Sequence, residues 1–294
     1  MTEVLEIKRA VKDYRSEVKP TWCPGCGDFA VLNALYKAFV TLNLDPKDVV
    51  VVSGIGCSGR LPEFVSTYGM HVVHGRALPT ALGVKVANPE LTVIAVGGDG
   101  DGFAIGGGHV PHAVRRNVDI TYIVMDNEVY GLTKGQPSPT TPAGMKAVQN
   151  SSSMPKMAPW GIMDTPLNIM GMVLTYGVSF AARGFSGKPN DLSELYVKAL
   201  THKGFSFVQA MSPCVTFYDT YQDWKTLVGP MPEGYDSTDR FSAIQLAMTE
   251  ELFHCGVFVE EDRPTLGDLT RSIAERSKSP SRLAAIQSIL ESVG

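Results

Sequence analysis

Apolar runs that end abruptly in glycine-, cysteine- or asparagine-bearing turns constrain this chain most. VVVVS at 49–53 runs into GIGCSG, TVIAV at 92–96 into GGDGDG, ITYIVM at 120–125 into DNEVYG, and SFVQA at 206–210 into MSPC. Short continuous runs rich in Val and Ile, bounded by turn residues, suit strands buried on both faces of a parallel sheet. Helix-like segments lie before them at 28–42 and between them at 80–87, 108–116 and 192–202. In the first of these, Ala30, Leu32, Leu35, Phe39 and Val40 share an apolar face, and Asp28 and Asp191 are placed to start the first and last. The alternation predicts an α/β fold with a doubly wound, mostly parallel sheet.

A chain of 294 residues with 44% hydrophobic content can bury a large core. We expect one domain over 1–230 and a helical C-terminal extension over 231–294, packed on that domain or on a partner. A net charge of -4 and a pI near 5.9 argue against nucleic acid or an anionic membrane as partner. The N-terminal stretch MTEVLEIKRAVKDYRSEV lacks the apolar centre of a signal peptide. No segment reaches the ~18 apolar residues of a membrane span. The expectation is a soluble cytoplasmic protein, in which five cysteines need form no disulfide.

Cys57, the loop 98–102, Asn127 and Cys214 each follow a predicted strand, so they belong on one edge of the sheet. Ligands of open α/β sheets bind outside the carboxyl ends of strands. Cys23 and Cys26 in WCPGCG, with Cys57 and Cys214, make a four-thiol set suited to zinc or to an iron–sulfur cluster. Zinc sites tend to pair two close CxxC knuckles; only one such knuckle is present, which favours a cluster. A thiol-redox CxxC should open a helix after a strand, and WCPGCG has no strand before it. Cys255 in ELFHCGVF falls on a helical-looking stretch and reads as a buried apolar side chain.

The sequence GGDGDGFAIGGGH adds a second centre. Gly98 and Gly100 let the backbone approach a diphosphate, and Asp99 offers a hard oxygen to Mg²⁺. Asn127, on the next predicted loop, offers another oxygen, and the Val129 carbonyl, two phosphate oxygens and a water complete an octahedron. A helix-capping aspartate would account for Asp99 but not for the spaced Asn127 or for VYGLTKGQPSPTT after it.

Together WCPGCG, GIGCSGR, HGRALPTALGVKVANPELTVIAVGGDGD, IGGGHVPHAVRRNVDITYIVMDN and YGLTKGQPSPTT resemble the β subunit of 2-oxoacid:ferredoxin oxidoreductases, most of all its 2-oxoglutarate branch. The resemblance covers about 20–230 and departs at Gly108, where the family often has Asn. It implies a thiamine diphosphate-binding fold, Mg²⁺ on Asp99, Asn127 and Val129, and one 4Fe-4S cluster on Cys23, Cys26, Cys57 and Cys214. Ile55, Gly56, Cys57, Ser58, His74, Gly75, Gly98, Asp99, Gly100, Asp101, Asn127, Val129, Gly131, Leu132 and Thr133 are then the expected cofactor contacts. His74 is placed to bond the diphosphate or the substrate carbonyl, and Arg60 and Lys134 are candidates for the substrate carboxylate. The implied reaction is CoA-dependent oxidative decarboxylation of 2-oxoglutarate to succinyl-CoA and CO₂, with electrons passed through the cluster to ferredoxin, and its reductive reverse. A partner α subunit would complete the active site in an (αβ)₂ assembly. Alternatives are the same chemistry on pyruvate or a broad set of 2-oxoacids, a non-redox thiamine diphosphate decarboxylase with structural zinc, and a cluster-bearing scaffold without turnover.

Overall fold

The computed structural model describes residues 7–145, 160–249, 252–276 and 281–293. Its strands are β1 (Val49–Ser53), β2 (Tyr68–His71), β3 (Thr92–Gly98), β4 (Ile120–Asp126), β5 (Val129–Tyr130), β6 (Gln136–Pro137), β7 (Phe180–Phe185), β8 (Phe205–Met211), β9 (Val228–Pro230) and β10 (Phe253–Glu260). Eight of them form one sheet in the order β2-β1-β3-β4-β8-β7-β10-β9, while β5 and β6 form a separate hairpin. Every pairing in the large sheet is parallel except β7 with β10.

The side-chain period of two explains why both faces are covered. Val49 and Val51, Ile94 and Val96, and Ile123 and Met125 face one layer, built on the helices Asp28–Thr41 and Pro189–Thr201. Val50 and Val52, Val93 and Ala95, and Tyr122 and Val124 face the other, with Ala77–Ala87, Val110–Arg116, Ile169–Thr175 and Arg240–Ala247. Burying one such aliphatic side chain contributes about 1.5–3 kcal/mol, so the central strands are fixed from both sides. The four runs predicted as strands are β1, β3, β4 and β8, and the last three extend by one or two residues beyond the expected ends.

Several local expectations change. Asp28 is the first helical residue rather than a cap, and its carboxylate is buried, accepting from Ser212 Oγ at 2.6 Å. The helix expected at 192–202 starts at Pro189, which suits a first-turn position, and Asp191 sits within its first turn. Cys255 lies on a strand, because β10 pairs with both β7 and β9. Residues 231–294 carry the helices Arg240–Ala247, Leu266–Arg276 and Arg282–Val293 together with the strand β10. Arg115 and Arg116 do end a helix, where cations suit the dipole, and Asn117 follows in the left-handed region at φ 46°.

The chain enters the sheet at β1, turns outward to β2, then reverses to β3 and onward to β4. That reversal opens a crevice between the carboxyl ends of β1 and β3, the position at which open α/β sheets take ligands. No described helix is long and apolar enough to cross a membrane.

Candidate functional site

At the reversal lies a cavity of ≈ 220 Å³ lined by Ile55, Gly56, Cys57 and Ser58 after β1, by Gly98, Asp99, Gly100 and Asp101 at the end of β3, and by Asn127, Val129, Tyr130, Gly131, Leu132 and Thr133 after β4, with Asp28, His74 and Met125 completing it. The chain turns sharply after β3 because Asp101–Ile105 is a π-helical turn, a wide winding that often marks functional sites.

Asp101 fixes the shape of this cavity. Its Oδ1 accepts from the backbone N–H groups of Ile55 at 2.9 Å and Gly75 at 2.8 Å, and it pairs with His74 Nδ1 at 2.6 Å. One carboxylate oxygen therefore holds two loops to its own, and Nε2 is the His74 nitrogen left for a ligand. Oδ2 of Asp101 is buried without a hydrogen-bond partner.

Asp99 is 2% exposed and accepts from Thr140 Oγ1 at 2.7 Å. Burial first, and then the neighbouring Asp126, push its carboxyl up to about 7. The same two causes, with Asp99 itself, raise Glu128 well above the usual carboxylate range. Of these acids only Asp99 lines the cavity, and a cation there would offset the repulsion it feels from Asp126 and Glu128 behind it. Asn127 Oδ1 accepts from Val129 N at 3.0 Å, so its carbonyl already points back into the loop that carries Val129. This set of hard oxygens fits Mg²⁺.

The thiols gather beside the cavity. A Cβ built on Gly131 would stand 3.4 Å from Cys214 Sγ and 3.6 Å from Cys57 Sγ, so the two sulfurs flank the cavity wall. Trp22 Nε1 donates to the Cys57 carbonyl at 2.8 Å, and Gly27 N donates to the Pro213 carbonyl at 3.2 Å, which ties WCPGCG to both other cysteine loops. Gly27 is required there, since a Cβ would come within 2.7 Å of Ser212 Oγ and 2.8 Å of Ser186 Oγ. Burial pushes the Cys57 thiol up to about 12, with Asp28, Cys214 and Cys23 adding to it. Cys26 is raised by burial, by Asp28, and by Cys57 and Cys214. The Cys214 thiol is raised by burial too, but the backbone N–H groups of Phe217, Thr216 and Tyr218 pull it back. Backbone N–H groups directed at a sulfur are the environment a cluster thiolate uses.

Among the described residues, no group of three or more His, Cys, Asp or Glu side chains is drawn together to hold a metal ion as it stands. Cluster thiolates bind separate irons, so four spaced sulfurs suit a cluster where they would not suit one ion. A cation at Asp99 would take its remaining ligands from Asn127, backbone and phosphate.

Of the residues expected around the cofactor, Gly75 alone is not in the cavity lining; it serves through its N–H to Asp101. Arg60 and Lys134 do not line it either. Arg60 is bound to Glu63 at 2.7 Å, and Lys134 is exposed on the loop after Gly131 with φ 80°. Sequence reasoning missed Asp28, Met125 and Tyr130 in the lining, and Thr140 and Asp126 behind it. Their only signal was position, as Asp126 precedes Asn127 and Thr140 lies in SPTT.

Comparison with known proteins adds independent findings. The family model of the thiamine pyrophosphate enzyme C-terminal TPP binding domain matches residues 54–210, and the model of the C-terminal part of the pyruvate ferredoxin oxidoreductase beta subunit matches residues 214–275. The 2-oxoglutarate oxidoreductase subunit KorB of Mycobacterium tuberculosis is 32% identical over 328 residues, covering 95% of this chain and 86% of the relative. The 2-oxoacid:ferredoxin oxidoreductase 1 subunit beta of Aeropyrum pernix is 45% identical over 213 residues, covering 72% of this chain; the chain spans 64% of that relative's length. A solved structure, 2-oxoglutarate:ferredoxin oxidoreductase from Magnetococcus marinus with 2-oxoglutarate, coenzyme A and succinyl-CoA bound, superposes with a TM-score of 0.89 at 43% identity, covering 96% of each chain. The cavity, the parallel sheet that frames it and these relatives converge: the chain belongs to the β subunits of the 2-oxoacid:ferredoxin oxidoreductases, on their 2-oxoglutarate branch.

Proposed function

We propose that this chain is the thiamine diphosphate- and cluster-bearing half of a CoA-dependent 2-oxoglutarate:ferredoxin oxidoreductase. It would form succinyl-CoA and CO₂ from 2-oxoglutarate and, with strongly reduced ferredoxin, run the reverse. The observation that carries this reading is the shared wall: Cys57 lines the cavity, and its sulfur and that of Cys214 both stand next to Gly131. Bound there, thiamine diphosphate would supply the electron sink for decarboxylation, and a 4Fe-4S cluster on Cys23, Cys26, Cys57 and Cys214 the one-electron outlet.

The chain's own residues do the rest. Gly98 and Gly100 admit the diphosphate, and Asp99, the Asn127 side chain and the Val129 carbonyl hold its Mg²⁺. His74, oriented by Asp101, presents Nε2 to the diphosphate or to the substrate carbonyl. Lys134 holds the distal carboxylate of the substrate; Arg60 assists more weakly because Glu63 already occupies its guanidinium. The 2-oxoglutarate and CoA held by the Magnetococcus marinus enzyme support this substrate pair over pyruvate. A partner α subunit would close the other side of the cavity in an (αβ)₂ assembly, with ferredoxin as electron partner in the cytoplasm.

The test is an anaerobic assay of the complex with each 2-oxoacid, CoA and a low-potential dye, beside metal analysis. We expect about four irons per chain and a kcat/KM that favours 2-oxoglutarate; zinc, or no colour, would refute the redox reading. Asp99→Ala should abolish thiamine diphosphate retention and turnover while leaving the iron in place. Turnover that survived the substitution would overturn the cofactor site.

A further inference from the structure

SPTT at 138–141 stands out in the sequence but has no part in the cofactor contacts described so far. In the structure, Thr140 lies behind Asp99, outside the cofactor cavity and on the wall of a second cavity of ≈ 480 Å³ that Asp126, Gln209 and Arg183 also line, and its hydroxyl contacts two carboxylates: Asp99 Oδ2 at 2.7 Å and Asp126 Oδ1 at 3.1 Å. Gln209 Nε2 donates to the other Asp126 oxygen, Oδ2, at 2.8 Å, and Arg183 Nε donates to Gln209 Oε1 at 2.8 Å. The chain of contacts thus runs Arg183–Gln209–Asp126–Thr140–Asp99. It crosses three adjacent strands, β7, β8 and β4, before it reaches the end of β3.

The chemistry fixes its direction from Arg183 to Asp126, while the single Thr140 proton is shared between the two carboxylates. Arg183 has no acceptor, so the Gln209 carbonyl must face it and the amide must face Asp126. Every member is at least nine-tenths buried: Arg183 is 6% exposed, Gln209 8%, Asp126 4%, Thr140 7% and Asp99 2%. Between groups this little exposed each bond is strong, and a half-satisfied chain would be costly. Thr140 is itself anchored, since Ser138 N donates to Thr141 Oγ1 at 2.8 Å and Thr141 Oγ1 donates to the Glu128 carbonyl at 2.5 Å. The backbone that carries the hydroxyl is therefore held to the loop that carries Asn127 and Val129.

We propose that Thr140, backed by Asp126, Gln209 and Arg183 and flanked by Ser138, is a positioning residue for the divalent-cation site: by holding Asp99 Oδ2 it orients the carboxylate that meets the cation. The inference rests on the reading of Asp99 as a cation ligand for a bound diphosphate. Outer-shell hydrogen bonds of this kind orient metal-binding carboxylates, and their loss weakens metal affinity by about 10–100-fold. A valine at 140 keeps the shape and β-branching of threonine and removes only the hydroxyl. A serine keeps the hydroxyl.

The test measures Mn²⁺ binding by electron paramagnetic resonance, with thiamine diphosphate present, in the purified complex of this chain with its partner subunit. Thermal unfolding without ligands is followed in parallel. Thr140→Val should weaken Mn²⁺ binding by about 10-fold or more, and Thr140→Ser should stay near wild type. A purely structural role would lower the unfolding temperature without changing the Mn²⁺ affinity of the folded complex. If Thr140→Val does not fold, Gln209→Glu replaces the donated amide proton with a carboxyl and should weaken binding in the same direction with Thr140 intact. Unchanged affinity in Thr140→Val, or in Gln209→Glu where that variant decides, overturns the relay alone. A wild-type complex that binds no Mn²⁺ with thiamine diphosphate overturns the cofactor reading and the relay with it.

Discussion

The two ends of the central sheet differ in how they treat buried polar groups. At the amino ends of β3, β4 and β8 lies a cavity of ≈ 410 Å³, larger than the ≈ 220 Å³ cavity at the carboxyl ends. Two ion pairs already stand in its wall: Lys85 pairs with Asp119 at 2.8 Å, and Arg271 with Asp268 at 2.5 Å. Asn117 nearby uses its whole amide, donating to the Arg263 and Pro264 carbonyls and accepting from Ser179 Oγ and Phe205 N. Arg263 Nε is the orphan at that end. At the carboxyl ends, Asp28 Oδ2, Asp101 Oδ2 and Ser186 Oγ are buried without partners, and several acids are pushed toward their neutral forms. Volume does not separate the two ends, since a cavity of ≈ 480 Å³ lined by Asp126, Glu128, Arg183 and Gln209 also opens at the carboxyl ends; unsatisfied polarity does.

If the carboxyl end is the working end, Cys57→Ser should strip most of the iron from the anaerobically purified complex, while Cys255→Ser on β10 leaves iron content and colour unchanged. Equal loss from both would erase the distinction between the four thiols and the fifth. A smaller effect concerns Asp28, whose carboxyl is pushed up to about 6, first by burial. Its folded pKa lies above the unfolded one, so the stability it contributes is present at low pH and lost as pH rises through about 6. In cluster-free protein, Asp28→Asn should remove a decline of about 3 kcal/mol between roughly pH 4 and pH 7, read from urea unfolding. Parallel stability curves for the two proteins would refute this.

The opposite end should answer only in stability. Asn117→Ala leaves several buried partners unsatisfied and should cost about 2 kcal/mol in urea unfolding, with thiamine diphosphate affinity unchanged. A matching loss of cofactor affinity would mean that the two ends are coupled. The smallest effect is at the rim, where Lys134→Met should raise KM for 2-oxoglutarate by about 10-fold, or ~1.4 kcal/mol. Arg60→Met should raise it less because of Glu63, and a reversed order would exchange their roles.

The strands that could be read from the sequence were those whose residues face core on both sides. VVVVS is buried at every position, so continuity of apolar residues was enough. β2 has every residue exposed, and YGMH carries no such signal. In β7, FAARGF is interrupted by an arginine whose Nε–H is received by Gln209 on β8 and whose guanidinium lies against Phe253 and Phe258, contacts that depend on the folded sheet. β10 follows an apolar stretch whose spacing also suits a helix, which is why the spacing around Cys255 points to the wrong element. Around the cavity, the glycines and Asp99 were legible because a strand ended just before them. Asp28 and Thr140 were not, since their places come from pairing with Ser212 and Asp126, far away in sequence.

The closing strand has a consequence for synthesis on the ribosome. β7 is covered on its outer edge only when β10 arrives, and Arg183 then lies under Phe253 at 5.8 Å and Phe258 at 5.1 Å. β7 ends at Phe185 and β10 at Glu260, 75 residues later, so translation at ~5–20 residues per second separates their emergence by roughly 4–15 seconds. For that interval the nascent chain shows an open, apolar β7 edge to its neighbours, the kind of edge along which chains aggregate. Chaperone occupancy on stalled nascent chains should therefore peak after β8 has emerged and fall once Glu260 clears the tunnel.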